Sequence, residues 1–167
     1  MGSIIMPEGM LDKVKALPFY KVPHYDQSDM IKLGYPPASI DQNEQYGSKD
    51  ADNNGIEWEW TKFFIPNNWT DVGLMFDKAN PGYVIPQHKD HFKFYVDHFD
   101  HKKEDVRRRI VFLEDWKWGH YFQLKDKPFV KWKQGDWVEW GCDDYHLGGN
   151  FGKDVRYTLQ VTGVPHE

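Results

Sequence analysis

Hydrophobic positions recur at two different periods along this chain, and the change falls near residue 55. Between Gly9 and Leu17, the residues Met10, Leu11, Val14 and Leu17 have helical spacing, and Pro18 closes the run, so the pattern predicts a short helix. A weaker helical stretch covers about 27–33. Residues 36–55 are polar, include Asp52-Asn53-Asn54-Gly55, and read as loop. From Ile56 to Phe64 the period becomes two, with Ile56, Trp58 and Trp60 on one side and Glu57, Glu59 and Thr61 on the other, as in a half-buried strand. Further strand-like runs cover 72–76, 82–88, 92–96, 108–113, 118–124, 137–140 and 155–162, most of them separated by Gly, Pro, Asn or Asp. Many short, punctuated strands predict a mainly β antiparallel sandwich or jelly roll, with one or two N-terminal helices packed outside one sheet.

At 167 residues the chain is expected to be one domain, with 1–55 as a helical and loop extension and 56–163 as the β core. Eight Trp, nine Tyr and eleven Phe suit the wide inner faces of a sandwich or barrel. A net charge of −5 argues against a broad electrostatic grip on nucleic acid or anionic membrane. A single cysteine, Cys142, excludes an internal disulfide framework and fits a reducing compartment. The N-terminus lacks the basic start and apolar run of a signal peptide, and no stretch is apolar enough to span a bilayer, so the expected location is cytoplasmic.

Chemistry concentrates at His88-Lys89-Asp90, where a strand run ends. Alternation lets His88 and Asp90 face the interior while Lys89 faces away. A third ligand from a distant strand would complete a set of two imidazoles and one carboxylate, which leaves metal positions open on one side. His146, after the aromatic run 137–140, is the candidate. Ten residues later, Arg156, Thr158 and Gln160 share one face of a strand, and Val155, Tyr157, Leu159 and Val161 share the other. A buried guanidinium needs a partner, and a carboxylate with the Thr158 hydroxyl alongside supplies one.

The pattern His88-x-Asp90, His146, Arg156-x-Thr158 resembles the iron- and co-substrate-binding pattern of the 2-oxoglutarate/iron(II)-dependent oxygenases on the double-stranded β-helix. Pro81-Gly82 through Pro86-Gln87-His88 resembles the approach to the first ligand in cupin-type folds. Gly135-Asp136-Trp137, His146 and Asn150 resemble the second cupin half. The turn at 132–136 and the stretch His146 to Gly163 look most like the aspartyl/asparaginyl and prolyl hydroxylase-like branches. The likeness runs from Gly82 onward and includes none of the first 55 residues. It implies Fe(II) held by His88, Asp90 and His146, 2-oxoglutarate held by Arg156 and Thr158, and O2 as oxidant. The implied reaction is hydroxylation of a C–H bond in a small-molecule or peptide substrate.

Blander readings compete at several positions. His-x-Asp also occurs at His24-Tyr25-Asp26 and His98-Phe99-Asp100, and Arg108 lies ten residues after His98. His88, His91, His98 and His101 could form a zinc site, although all-histidine structural zinc sites are uncommon. His120, with Phe122 and Leu124, reads as a satisfied core histidine, and Cys142 as a small buried residue. Arg107-Arg108-Arg109 reads as a solvated turn; if one of the three faces the barrel, Arg109 is favoured, since it shares a face with Val111 and Leu113. Trp116, Trp118, Trp132, Trp137 and Trp140 read as core and rim. Asn150 is expected to brace a loop in which Gly148-Gly149 takes unusual backbone angles. Tyr83 and Tyr121 are candidate hydroxyl donors to the co-substrate. The alternative to the oxygenase is a cupin-like metal-, carbohydrate- or partner-binding module without 2-oxoglutarate turnover.

Overall fold

The computed structural model describes residues 1–21, 31–32, 34, 41–55 and 58–166. In chain order the elements are β1 (Gly2–Ser3), α1 (Met10–Lys15), β2 (Tyr20–Lys21), β3 (Asn43–Gly47), α2 (Ser48–Asn54) and a 3-10 helix (Glu59–Phe64). There follow β4 (Trp69–Ala79), β5 (Val84–His88), α3 (Lys93–Phe99), β6 (Arg107–Phe112), β7 (His120–Leu124) and β8 (Lys127–Phe129). The chain ends with β9 (Asp136–Trp140), β10 (His146–Asn150) and β11 (Arg156–Pro165).

The strands form a seven-stranded sheet, order β1-β9-β6-β11-β4-β3-β2, and a four-stranded sheet, order β5-β10-β7-β8. From β4 to β11 the chain passes back and forth between the two, so that β4, β6, β9 and β11 fall in one and β5, β7, β8 and β10 in the other. All the pairings are antiparallel. This is a double-stranded β-helix, a jelly roll of the cupin type. Among the described residues, no helix is long and apolar enough to cross a membrane.

Strand β11 is the spine of the larger sheet, paired with β4 on one side and β6 on the other. Its alternation sorts the two faces. Leu159 and Val161 point outward into a core with Leu74, Phe76, Val111 and Leu113, closed by Met10 and Val14 of α1 and by Phe64. A second core lies between the sheets, built from Ile110, Phe112, Phe122, Trp132, Val138 and Trp140. Within it the Phe112 and Trp132 rings stack at 4.0 Å.

Two runs expected to be strands are helices, for one physical reason. In 56–64, the described part is the 3-10 helix Glu59–Phe64. Trp58, Thr61 and Phe64 lie three apart, the 3-10 repeat; Thr61 and Phe64 are buried, and Trp58 and Phe64 both pack against Phe76. The aromatic and polar residues satisfy both periods, and packing selected three. Likewise 92–96 enters α3, where Phe92 and Tyr95 are buried three apart while Phe94 and Val96 remain exposed. Tyr95 Oη donates to the Thr162 carbonyl at 2.7 Å and accepts from Gly73 N at 3.1 Å, which ties α3 to the sheet.

The polar stretch expected to be loop contains β3 and α2, and β1 to β3 extend the larger sheet at both edges. The expected helix at 9–17 is present as α1; most of the one at about 27–33 lies outside the described residues. Gly135, at the turn before β9, has φ 87, and a Cβ there would stand 2.0 Å from the Ile4 carbonyl oxygen, so β1 docks only against glycine. Phe76→Ala should lower stability by about 3–5 kcal/mol, because its ring contacts three aromatic neighbours in a filled core. A denaturant melt tests this, and a loss below about 1 kcal/mol would contradict the outer core as the fold's main support.

Candidate metal centre and its cavity

His88 closes β5 and His146 opens β10, and the two strands set these residues directly opposite each other. Their rings lie 4.2 Å apart. Asp90, two residues beyond the strand, brings its carboxylate to both imidazoles: Oδ1 is 4.0 Å from His88 Nε2, and Oδ2 is 3.7 Å from His146 Nε2. Each of the three offers one ligand atom, and these atoms lie within 4.8 Å of one another. Among the described residues no other set of three such groups converges. The expected triad is therefore assembled in space.

Backbone carbonyls orient both imidazoles. His88 Nδ1 is 2.8 Å from the Pro86 carbonyl oxygen, and His146 Nδ1 is 3.3 Å from that of Asp144. Placing the ring proton on Nδ1 leaves the Nε2 lone pair facing Asp90, the state a metal needs. Burial, helped by the neighbouring His88, pushes the His146 pKa down to about 4, so this imidazole is neutral near pH 7.

Two residues not expected from sequence hold the carboxylate. Arg108 Nη1 donates to Asp90 Oδ1 at 2.9 Å, and Trp140 Nε1 donates to Oδ2 at 2.8 Å. Arg108 is itself fixed by Nε donating to Thr162 Oγ1 at 3.0 Å. Burial works to raise the Asp90 pKa, but Arg108, His146, Trp140 and His88 together hold it below the ordinary carboxylate value. The register explains the coincidence, since Arg108 and Trp140 are opposite each other on β6 and β9. The arginine run is thus a strand and not a solvated turn. Arg108, not Arg109, faces the interior. Arg109 pairs outside with Glu139 at 2.9 Å and lies 3.8 Å over the Trp137 ring. Both faces of Arg107–Phe112 carry apolar residues, so alternation alone did not tell inside from outside.

A cavity opens from the triad along the inner face of the larger sheet, past Arg156, Thr158 and Gln160 to Asp77, Gln45 and Asn43. Arg156 is buried, and its Nη1 donates to the carbonyls of Tyr121 at 2.7 Å and Gly149 at 2.9 Å. Its Nε has no hydrogen-bond partner among the described residues. Beside it lies Gly148, on the same face of β10 as His146; a Cβ there would stand 3.7 Å from Arg156 Nη2. Gly148 and Gly149 are in extended strand rather than at unusual angles, so their value here is small size. Tyr83 lines the cavity, with Arg156 6.0 Å from its ring centroid, whereas Tyr121 Oη donates to Gln123 at 2.6 Å and takes no part.

Other expectations sort cleanly. Asn150 is fully buried and braces its loop, donating to the Ala79 and Asp154 carbonyls and accepting from Gly152 N. His120 is buried with one nitrogen 3.0 Å from the Asp154 carbonyl, and Nδ1 has no partner among the described residues, so it is half satisfied there. Cys142 is a small buried residue beside Val106. His98 contacts its own helix, and His101 meets Asp71 at 2.8 Å, so neither joins His88. Trp132 and Trp140 are core, while Trp118 is on the surface. His24 and Asp26 lie outside the described residues.

No protein-family model matches the chain, and no curated protein does. Among solved structures it is similar to a putative sugar phosphate isomerase from Acidithiobacillus ferrooxidans ATCC 23270, at 10% identity over 95% of this chain and 74% of that one, TM-score 0.49. It is also similar to a predicted oxalate decarboxylase from Thermotoga maritima, at 18% identity over 73% and 80%, TM-score 0.42. The cupin domain of Schizosaccharomyces pombe Cnp3 shares 10% identity over 79% and 69%, TM-score 0.45. Likenesses this distant carry no activity across. The strand order and the triad themselves define the class: a cupin-type double-stranded β-helix with a candidate metal site.

Acid should destabilise the folded chain through this site. The unfolded chain protonates His146 near 6.5, but the folded chain resists until about 4, so stability falls as pH drops through that window. The metal-free protein should show a falling Tm from about pH 7 to pH 5, and His146→Gln should flatten the fall. An identical pH dependence in the variant would contradict a buried, neutral imidazole.

Proposed function

We propose that this chain is an Fe(II)- and 2-oxoglutarate-dependent dioxygenase that hydroxylates a C–H bond in an amino-acid or peptidyl substrate. The observation that carries the reading is the unpartnered Nε of buried Arg156, which lies beside the bare strand at Gly148 that leads back to the triad. His146 and Gly148 share a face of β10, which puts them roughly 7 Å apart. That span suits a keto acid chelated at one end and held by its distal carboxylate at the other.

The donor chemistry fits both groups. Two imidazoles and one carboxylate suit iron(II) and leave positions open. An orphaned, buried N–H next to a second guanidinium nitrogen suits a carboxylate, which would satisfy both. When bound, iron(II) with 2-oxoglutarate and O2 supplies the oxidising chemistry, with one oxygen atom leaving in succinate, carbon dioxide released, and the other entering the substrate as hydroxyl.

The remaining work belongs to the chain's own side chains. His88 and His146 present Nε2, held by the carbonyls behind them. Arg108 and Trp140 keep Asp90 ionised and fix its angle, so that it serves as a ligand and not as a base. Arg156 orients the co-substrate, and Ile110, Phe122 and Trp140 line the cavity with apolar surface that limits water. The substrate class rests on the family resemblance of the motifs.

The test is succinate formation by iron(II)-loaded protein given 2-oxoglutarate in air, which such enzymes perform slowly without substrate. His88→Ala or Asp90→Ala should abolish it. Arg156→Ala should raise the 2-oxoglutarate requirement roughly 100-fold while sparing iron binding, since two charge-assisted hydrogen bonds are lost. Gly148→Ala should weaken it with little change in Tm, because the new methyl meets protein atoms at ordinary distances of 3.6–3.7 Å. A requirement unchanged in Arg156→Ala would overturn the assignment.

A further inference from the structure

Asp77 is a buried carboxylate inside this cavity that the proposed reaction does not use. It lies on β4 opposite Thr158, so it is the diagonal neighbour of Arg156 across the β4–β11 pair. It is the counter-charge nearest to hand, yet its bonds go elsewhere. Asn43 Nδ2 and Gln45 Nε2 donate to Oδ1 at 2.9 and 2.7 Å, and Gln160 Nε2 donates to Oδ2 at 2.8 Å. Among the described residues no ion pair joins it to Arg156, whose Nε stays unpartnered. The three amides hold a carboxylate beside a guanidinium and keep the two from closing.

That arrangement is costly unless it serves a ligand. A direct Asp77–Arg156 pair would satisfy both charges, and the outer faces of the same strands already supply the core. Keeping the pair apart leaves the guanidinium Nε without a protein partner, which an incoming acid would supply. The charge then becomes the issue, because one buried cation would face two carboxylates. Burial pushes the Asp77 carboxyl above the ordinary carboxylate range, against its three amide bonds and the Arg156 charge. Arg156, Thr158 and Gln160 face it from β11, and Asn43 and Gln45 from β3. Tyr83 and the exposed Lys21 and Asp41 line the same cavity.

We propose that Asp77 is the specificity-determining counter-ion of the Arg156 site, held off by Asn43, Gln45 and Gln160, and that a carboxylate ligand docks on Arg156 together with a proton taken up by Asp77. The inference rests on the oxygenase reading, in which that ligand is 2-oxoglutarate. The proton comes from solvent and ends on an Asp77 oxygen, so the buried end stays neutral overall. A dianionic ligand is thereby accepted without an uncompensated buried charge.

Calorimetric titration of 2-oxoglutarate into the anaerobic iron(II) protein, in buffers of different ionisation enthalpy between about pH 6 and pH 9, measures the proton directly. The natural protein should take up close to one proton per ligand within this range, and its affinity should weaken as pH rises. Asp77→Asn should bind with that uptake lost and roughly tenfold more tightly at the alkaline end. Gln160→Leu, which frees one Asp77 oxygen to swing towards Arg156, should bind more weakly than the natural protein. Binding with equal proton uptake in the natural protein and in Asp77→Asn overturns this proposal and leaves the oxygenase reading intact. Absence of 2-oxoglutarate binding in the iron-loaded natural protein overturns both.

Discussion

The constraint on which this structure depends is the division of labour between the two faces of the larger sheet. Leu159 and Val161 of β11, with Phe76 of β4 and Val111 of β6, bury their side chains outward beneath α1 and the 3-10 helix. The inner faces of the same strands carry Arg156, Thr158, Gln160 and Asp77. Jelly rolls ordinarily place their core between the sheets. Here the inter-sheet space is only partly filled by apolar residues, around Phe112 and Trp132. Because the outer core holds the sheet, the rest of the interior can carry buried charges that would otherwise cost stability.

Within that polar half, geometry is set by bonds that cross between strands distant in sequence. Asp90 is clamped by Arg108 and Trp140, which register places side by side on β6 and β9. Arg156 crosses to the smaller sheet through the carbonyls of Tyr121 and Gly149, linking β11 to β7 and β10. His88, His146 and the guanidinium are therefore positioned by the strands of both sheets, and Asp90, just beyond β5, is fixed by side chains of β6 and β9. Side chains held by such bonds are oriented before any ligand arrives, which favours binding.

Much of this was legible in the sequence, and the failures have definite causes. The jelly-roll pattern, the convergence of His88, Asp90 and His146, and the inward face of Arg156, Thr158 and Gln160 follow from alternation and motif spacing. The helical character of 59–64 and of α3 was hidden because aromatic residues in those runs satisfy periods of two and three alike. Arg108 and Trp140 were missed because their role depends on the pairing of two strands, which no local pattern encodes. Asp77, Asn43 and Gln45 escaped for the same reason. Asp77 follows the apolar run 72–76 and stands next to Lys78, where it reads as the polar end of a strand, and β3 lies in a stretch too polar to read as sheet. Its inner face is polar because it lines a cavity, not solvent.

The central claim is that one metal and one chelating acid occupy this interior together, the metal on the triad and the acid spanning to Arg156. Anaerobic titration of the iron(II) protein with 2-oxoglutarate, followed by visible absorption, tests it most directly. The account predicts the weak metal-to-ligand charge-transfer band of a chelated keto acid, saturating at one equivalent. Iron bound with no such band at saturating 2-oxoglutarate would contradict it and leave a cupin metal site of a different chemistry.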